Sequence, residues 1–264
     1  MSWVTLFLAL QLLAFWPVWT WYAARMTDSS DEPWGLLALG TALFFILRKG
    51  RGSALKASHL ALSSIFVFAY ILTYSSMPAL GRAALAVMAI GCTLSPSRLG
   101  RPVHVGVVGL LLLSLPIIAS LQFYLGYPVR ALTAVISSRL IGLTGYEVHA
   151  QGTCLYWAGE VISIDAPCTG VRMLWTGLYL NFTLACLAEH SSARTWLTHS
   201  FSMLVIFLGN VLRSSALFYT ESGILHGPAW AHQGIGLAVF ALIAVAILRF
   251  NRRMGKSKGE LQCT

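Results

Sequence analysis

An all-α integral membrane protein with a small extracytoplasmic insertion is the fold class this sequence predicts, and three observations carry it. Of the 264 residues, 57% are hydrophobic and only 10% are charged. A water-soluble domain has roughly a quarter charged, so too few charges remain to coat a surface that faces water. The mean hydropathy is +0.72. The apolar residues also gather in runs approaching the ~20 that cross a ~30 Å hydrocarbon core at 1.5 Å rise per residue. The basic residues fall mainly in the gaps between those runs.

The formal net charge of +9 raises the question of nucleic acid. Nucleic-acid binders concentrate Lys and Arg on one face or stripe of a folded domain. Here the basic residues punctuate apolar segments, which is the pattern of a topology signal. The expected surrounding partner is therefore the lipid bilayer, and no nucleic acid is expected.

The first run is Val4 to Tyr22. It lacks a basic n-region and a small-residue cleavage site, so it reads as a span rather than a signal peptide. Its end carries Trp16, Trp19, Trp21 and Tyr22, a set suited to the membrane interface. Further runs follow at Trp34–Leu47, Ser58–Tyr74, Ala79–Leu94, Val103–Phe123, Cys168–Ala188, Phe201–Tyr219 and Ala229–Leu248. About eight spans are expected, with seven or nine left open because the second run is short.

Orientation follows from charge. With the N-terminus inside, the cytoplasmic segments hold Arg48, Lys49, Arg51 and Lys56, then Arg98 and Arg101, then Arg194. After the last span come Arg249, Arg252, Arg253, Lys256 and Lys258, which makes twelve of the 18 basic residues. Arg25, Arg82, Arg130 and Arg139 fall outside, and Arg172 and Arg213 lie within spans. This positive-inside bias sets the orientation of a multi-pass membrane protein, which is expected in the cell's inner (plasma) membrane.

Between Tyr124 and Pro167 about 44 residues lie on the outer side. Val129, Leu132, Val135, Ile136, Leu140 and Leu143 recur at helical spacing, which predicts an amphipathic helix lying on the membrane surface over Val129–Leu143. From Tyr146 to Ile164 aromatic and β-branched residues partly alternate, which predicts a short hairpin. Pro167 suits the first turn of the following helix. No internal repeat is visible. Residues 1–264 read as one domain, with 124–167 as an extracytoplasmic segment inside it.

Charged side chains within spans are costly, so each is by default a functional-site hypothesis. Arg172 follows Cys168 by four residues, a spacing that puts both on one helix face. Arg213 follows Asn210 by three, and His232 opens the last span. Cys168, Arg213 and His232 come from three different helices, and the topology brings all of them close to the outer edge of the membrane. The other cysteines are Cys92 and Cys186, inside apolar runs, Cys154 in the outer segment and Cys263 in the tail. They form no CxxC pair and no zinc spacing, so no metal or cofactor is expected. Cys154 is read as a free thiol or a resting-state partner of Cys168.

Asp165-Ala166-Pro167-Cys168-Thr169-Gly170-Val171-Arg172 resembles the Cys-Ser-Gly-x-Arg motif of the exosortase/archaeosortase family, with Thr169 where Ser is commoner. Gly209-Asn210-Val211-Leu212-Arg213 resembles that family's second, Arg-bearing motif. His232 with Gly236 four residues on is similar to the third. The resemblance implies a multi-pass cysteine transpeptidase that cleaves a C-terminal sorting signal, consisting of a motif, a transmembrane helix and a basic tail, from exported proteins. It implies Cys168 as nucleophile, Arg213 as transition-state stabiliser and His232 as proton-transfer residue, on the periplasmic or outer side. Arg172, with Thr169, Gly170 and Asn210, is expected to bind substrate, and the acceptor, a lipid or a polysaccharide, stays open. The rival reading is a non-catalytic transporter or an envelope or exopolysaccharide assembly factor with Arg213 lining a pathway. Transporters often show repeated halves with broken helices at the midplane; no such repeat is visible here, and the unusual polar residues cluster at the outer edge.

Overall fold

The computed structural model describes residues 3–27, 34–48, 57–164, 170–226, 228 and 230–256. The chain divides into two compact units, Met1–Ile117 with Phe182–Leu197, and Ile118–Asn181 with Thr198–Thr264.

The first unit holds helices α1 (Trp3–Ala14), α2 (Trp16–Thr27), α3 (Trp34–Arg48), α4 (Ala57–Thr73), α5 (Ala79–Leu99) and α6 (Val105–Leu113). A 60° bend separates α1 from α2. Pro17 accounts for it: in the first turn of α2 its missing N–H is harmless, but in one continuous helix its ring would strike the carbonyl of residue 13. Helix α5 packs against α1, α2, α3, α4 and α6. Its buried residues are small, with Ala83, Ala86, Ala89 and Gly91 among them. Small residues let helix backbones approach closely where lipid removes any hydrophobic drive to associate. A Cβ on Gly91 would stand only 2.9 Å from a Val108 methyl.

One polar knot ties three of these helices together. Gln11 Nε2 donates to Ser63 Oγ at 2.7 Å, and Thr93 Oγ1 donates to Gln11 Oε1 at 3.2 Å. The Ser63 and Thr93 hydroxyls lie 2.8 Å apart. All three residues are buried. An unpaired polar group in hydrocarbon costs several kcal/mol, so this closed set fixes α1, α4 and α5 in one register.

The second unit begins with α7 (Ile118–Gly142), followed by an antiparallel sheet of β1 (His149–Gln151), β2 (Cys154–Trp157) and β3 (Glu160–Ser163). Ala158 and Gly159 both have positive φ, 50° and 84°, the backbone of a two-residue hairpin turn whose twist matches the strands. Val148, Leu155, Ile162 and Ile164 pack onto Ala134 and Ile141 of α7. The same core takes in Leu217 and Phe218 of helix α9 (Ser192–Glu221). Tyr146 and Trp157 meet the Phe218 ring edge-on, with centroids 6.5 and 5.9 Å away. The sheet is thereby seated on α7 and the end of α9.

Helices α8 (Val171–Leu187) and α10 (Ala231–Lys256) complete the unit, α8 by its residues 171–181 and α9 from Thr198 onward. Helices α9 and α10 lie antiparallel, with Gly209 against Ile243 and Val239, and Gly236 against Arg213. Residue 177 of α8 has room only for glycine, because a Cβ there would stand 2.5 Å from Ile206 Cδ1. Asn251 Nδ2 donates to Asn181 Oδ1 at 3.1 Å, pinning α10 to α8.

The all-α membrane class stands, and the expected hairpin is a three-stranded sheet. The count of about eight spans is not confirmed. Among the described residues three helices, Ala79–Leu99, Ser192–Glu221 and α10 over Ala231–Gly255, are long and apolar enough to cross a membrane. Counting each of two bent pairs, α1 with α2 and α6 with α7, as one span brings the number to five. Helix α3 has 15 residues and α4 and α8 have 17 each, or roughly 22–26 Å at 1.5 Å per residue, against a core of ~30 Å. The run Val103–Phe123 is broken at Ser114–Ile117, where Pro116 sits. The surface helix expected at Val129–Leu143 is not a separate element but the second half of the 25-residue α7, which continues through Pro128.

Candidate functional site

Residue 170 marks where the site begins in the described structure. Gly170 has φ +72° and α8 starts at the next residue, so the chain turns at residue 170 as it enters the helix. The expectations for Cys168, Thr169 and Pro167 fall on residues 165–169, outside the described residues. Arg172 stands exposed in the first turn of α8.

Gly170 lies against α9. A Cβ there would stand 2.8 Å from Asn210 Cγ and Oδ1 and 3.2 Å from Nδ2, so the backbone of this segment lies on the face of the Asn210 amide. Asn210 is 2% exposed. Its Nδ2 donates to Thr133 Oγ1 of α7 at 3.3 Å, and its Oδ1 is buried without a hydrogen bond. Three elements thus meet at one amide: α7 through Thr133, α9 through Asn210 itself, and the start of α8 through Gly170.

One turn further along α9, on the same face, stands Arg213. Its guanidinium lies against the backbone of α10 at Gly236. A Cβ on that residue would be 3.2 Å from Arg213 Nε and 3.7 Å from Cζ and Nη2. The glycine leaves the plane of the guanidinium room to rest on the helix. Arg213 Nε is buried and makes no hydrogen bond. Leaving a buried donor unmet costs about 1–3 kcal/mol, more when it is charged. A fixed cation with a donor to spare is suited to an anionic or strongly polar acceptor.

His232 is the second residue of α10, one turn before Gly236, so it shares the face on which Arg213 rests. Its Nδ1 lies 3.3 Å from Glu221 Oε1 at the end of α9. The spans expected from the sequence put Arg213 about six residues from the outer end of its helix. The helix in fact runs to Glu221, eight residues past Arg213.

One further residue holds the end of the segment that precedes residue 165. Arg130 Nη1 donates to the Ile164 carbonyl at 3.4 Å, and its Nε donates to the Gly126 carbonyl at 3.1 Å. Arg130 and Thr133 share a face of α7. One face of one helix therefore secures Ile164 directly and Gly170 by way of Asn210. Cys154 pairs with Ser163 in the sheet and carries a free, partly buried thiol. Among the described residues no three His, Cys, Asp or Glu side chains group as a metal site.

Sequence reasoning missed Glu221, Arg130 and Thr133. An acid at a helix end and an arginine in an outer segment look like solvated charges. Only the α9–α10 pairing and the continuity of α7 bring them to the site.

The family model for transmembrane exosortases matches residues 2–249 of the chain. No curated protein matches it, and neither does any solved structure.

Proposed function

The chain belongs to the transmembrane exosortase family, and from that premise we propose that it is a membrane-embedded cysteine transpeptidase with Cys168 as its nucleophile. The reading rests most on one observation: Arg213, with a buried unmet donor, lies on the Gly236 face of α10 one turn from His232. On its own helix it is one turn from Asn210, which packs on Gly170, two residues beyond Cys168.

The chemistry assigns each group a task. The Cys168 thiol gives its proton to His232, and Sγ attacks the scissile carbonyl carbon of the substrate. An S–C bond forms and the carbonyl electron pair moves onto oxygen. The fixed charge of Arg213, already placed in a partly buried site, stabilises that oxyanion without reorganising. When the carbonyl re-forms, the C–N bond breaks and His232 returns the proton to the departing amine. The thioester then passes its acyl group to an acceptor nucleophile, a group on a lipid or polysaccharide, or to water.

Arg172, Thr169, Gly170 and Asn210 bind the motif of the sorting signal. The substrate is an exported protein that ends in such a motif, an apolar helix and a basic tail. The enzyme sits in the plasma membrane with its site at the outer face.

Replacing the nucleophile tests this directly. Cys168→Ala is expected to leave the substrate at full length and still anchored by its C-terminal helix, and to abolish labelling by a thiol-directed activity probe. A normally abundant Cys168→Ala protein that still shortens its substrate ends the transpeptidase reading.

A further inference from the structure

A histidine that first takes and then gives a proton must present one chosen nitrogen, and His232 has a neighbour able to choose it. Glu221 is the last residue of α9 and His232 the second of α10. Antiparallel packing brings Nδ1 of the imidazole within 3.3 Å of Glu221 Oε1. The negative charge of an ionised carboxylate favours the imidazole hydrogen on the nearer ring nitrogen, Nδ1. The partner of one ring nitrogen decides the state of the other. Nε2 is thereby left as the nitrogen that exchanges protons.

We propose that Glu221 is the positioning residue of His232: it holds the imidazole by Nδ1, turns Nε2 toward the reacting groups and balances the positive charge of the ring while it carries the thiol proton. The proposal rests on the transpeptidase reading above. In the step itself, the proton leaves Cys168 Sγ for His232 Nε2 and moves from Nε2 to the leaving amine nitrogen. Glu221 stays ionised throughout and gains no proton.

The pair is too exposed to matter much to the fold. The side chains of His232 and Glu221 are 47% and 38% exposed, and exposed ion pairs contribute little to stability. A loss of reactivity on removing the carboxylate is therefore separable from unfolding.

The test needs no knowledge of the natural substrate. The full-length protein in membranes is treated with iodoacetamide, and alkylation of Cys168 over time is followed by mass spectrometry. Four forms are compared: wild type, Glu221→Gln, His232→Ala and the double variant. Glu221→Gln keeps the size of the side chain and removes its charge. It is expected to slow alkylation of Cys168 roughly 10-fold, a part of the about 10²–10⁴-fold that a positioned proton-transfer group supplies. In the His232→Ala background it should change nothing further, since groups acting through one another are not additive. If His232→Ala slows alkylation but Glu221→Gln does not, or slows it equally in both backgrounds, the positioning role is overturned and the transpeptidase reading stands. If His232→Ala leaves Cys168 alkylation unchanged, the thiol–imidazole pairing falls, and this proposal with it.

Discussion

Gly170 has no room to be anything else. Its φ of +72° costs a residue with a side chain about 1–2 kcal/mol, and the added carbon would press on Asn210 from 2.8 Å. Gly170→Ala is therefore expected to push the backbone at residue 170 off Asn210 and lower substrate cleavage at least ~10-fold, a displacement of the kind that misplaces reacting groups. Membrane abundance should stay near wild type; cleavage and abundance measured together on one blot check both. Arg213→Lys makes a different test. Lysine keeps the charge but is a point cation on a flexible stem, with no planar fork to lie on Gly236. A loss of about 100-fold or more in cleavage is expected, as for removal of one oxyanion donor, and a mild loss would count against that role. At this scale the sequence was informative where a residue defies its surroundings. Arg213 and His232 stand out because charge and imidazole are anomalous in apolar runs. Glu221 does not, because an acid at the end of a helix is ordinary.

Among the elements, α7 departs most from what its sequence predicts. The apolar residues from Val129 to Leu143 resemble a helix lying on the membrane surface. In the structure residues 129–142 belong to one helix whose polar face is the inner one. Thr133 and Ser137 are fully buried, while Leu132 is 51% exposed and Leu140 39%. Lipid as solvent explains the inversion, because apolar side chains lose nothing by facing outward and hydroxyls serve as links between helices. Periodicity revealed the two faces of α7 but not which of them the protein keeps. The sheet was easier to read, since its strands carry Leu155, Tyr156, Trp157, Val161 and Ile162 between glycine turns. A function follows for the inner face of α7. Arg130→Met keeps the apolar stem and removes both donors to the Gly126 and Ile164 carbonyls. It is expected to reduce cleavage about 10-fold at normal abundance, and unchanged kinetics would show that Ile164 is held by the sheet alone.

For the whole molecule the distribution of charge makes the clearest prediction. Basic residues 48–56 and 249–258 should face the cytoplasm and the sheet at 149–163 the outside. Reporter fusions after Lys56 and after Tyr146 check this, and the same compartment for both would overturn the orientation and the outer placement of the site. The knot of Gln11, Ser63 and Thr93 also has a meaning in time. Gln11 is synthesised 82 residues before Thr93. At about 5–20 residues per second the ribosome needs roughly 4–16 s to deliver the hydroxyl that completes the knot. Throughout that interval α1 carries an amide whose final partners do not yet exist. The first helix is therefore expected to linger in the polar shelter of the insertion machinery until α4 and α5 emerge, so that the order of assembly is written into a glutamine.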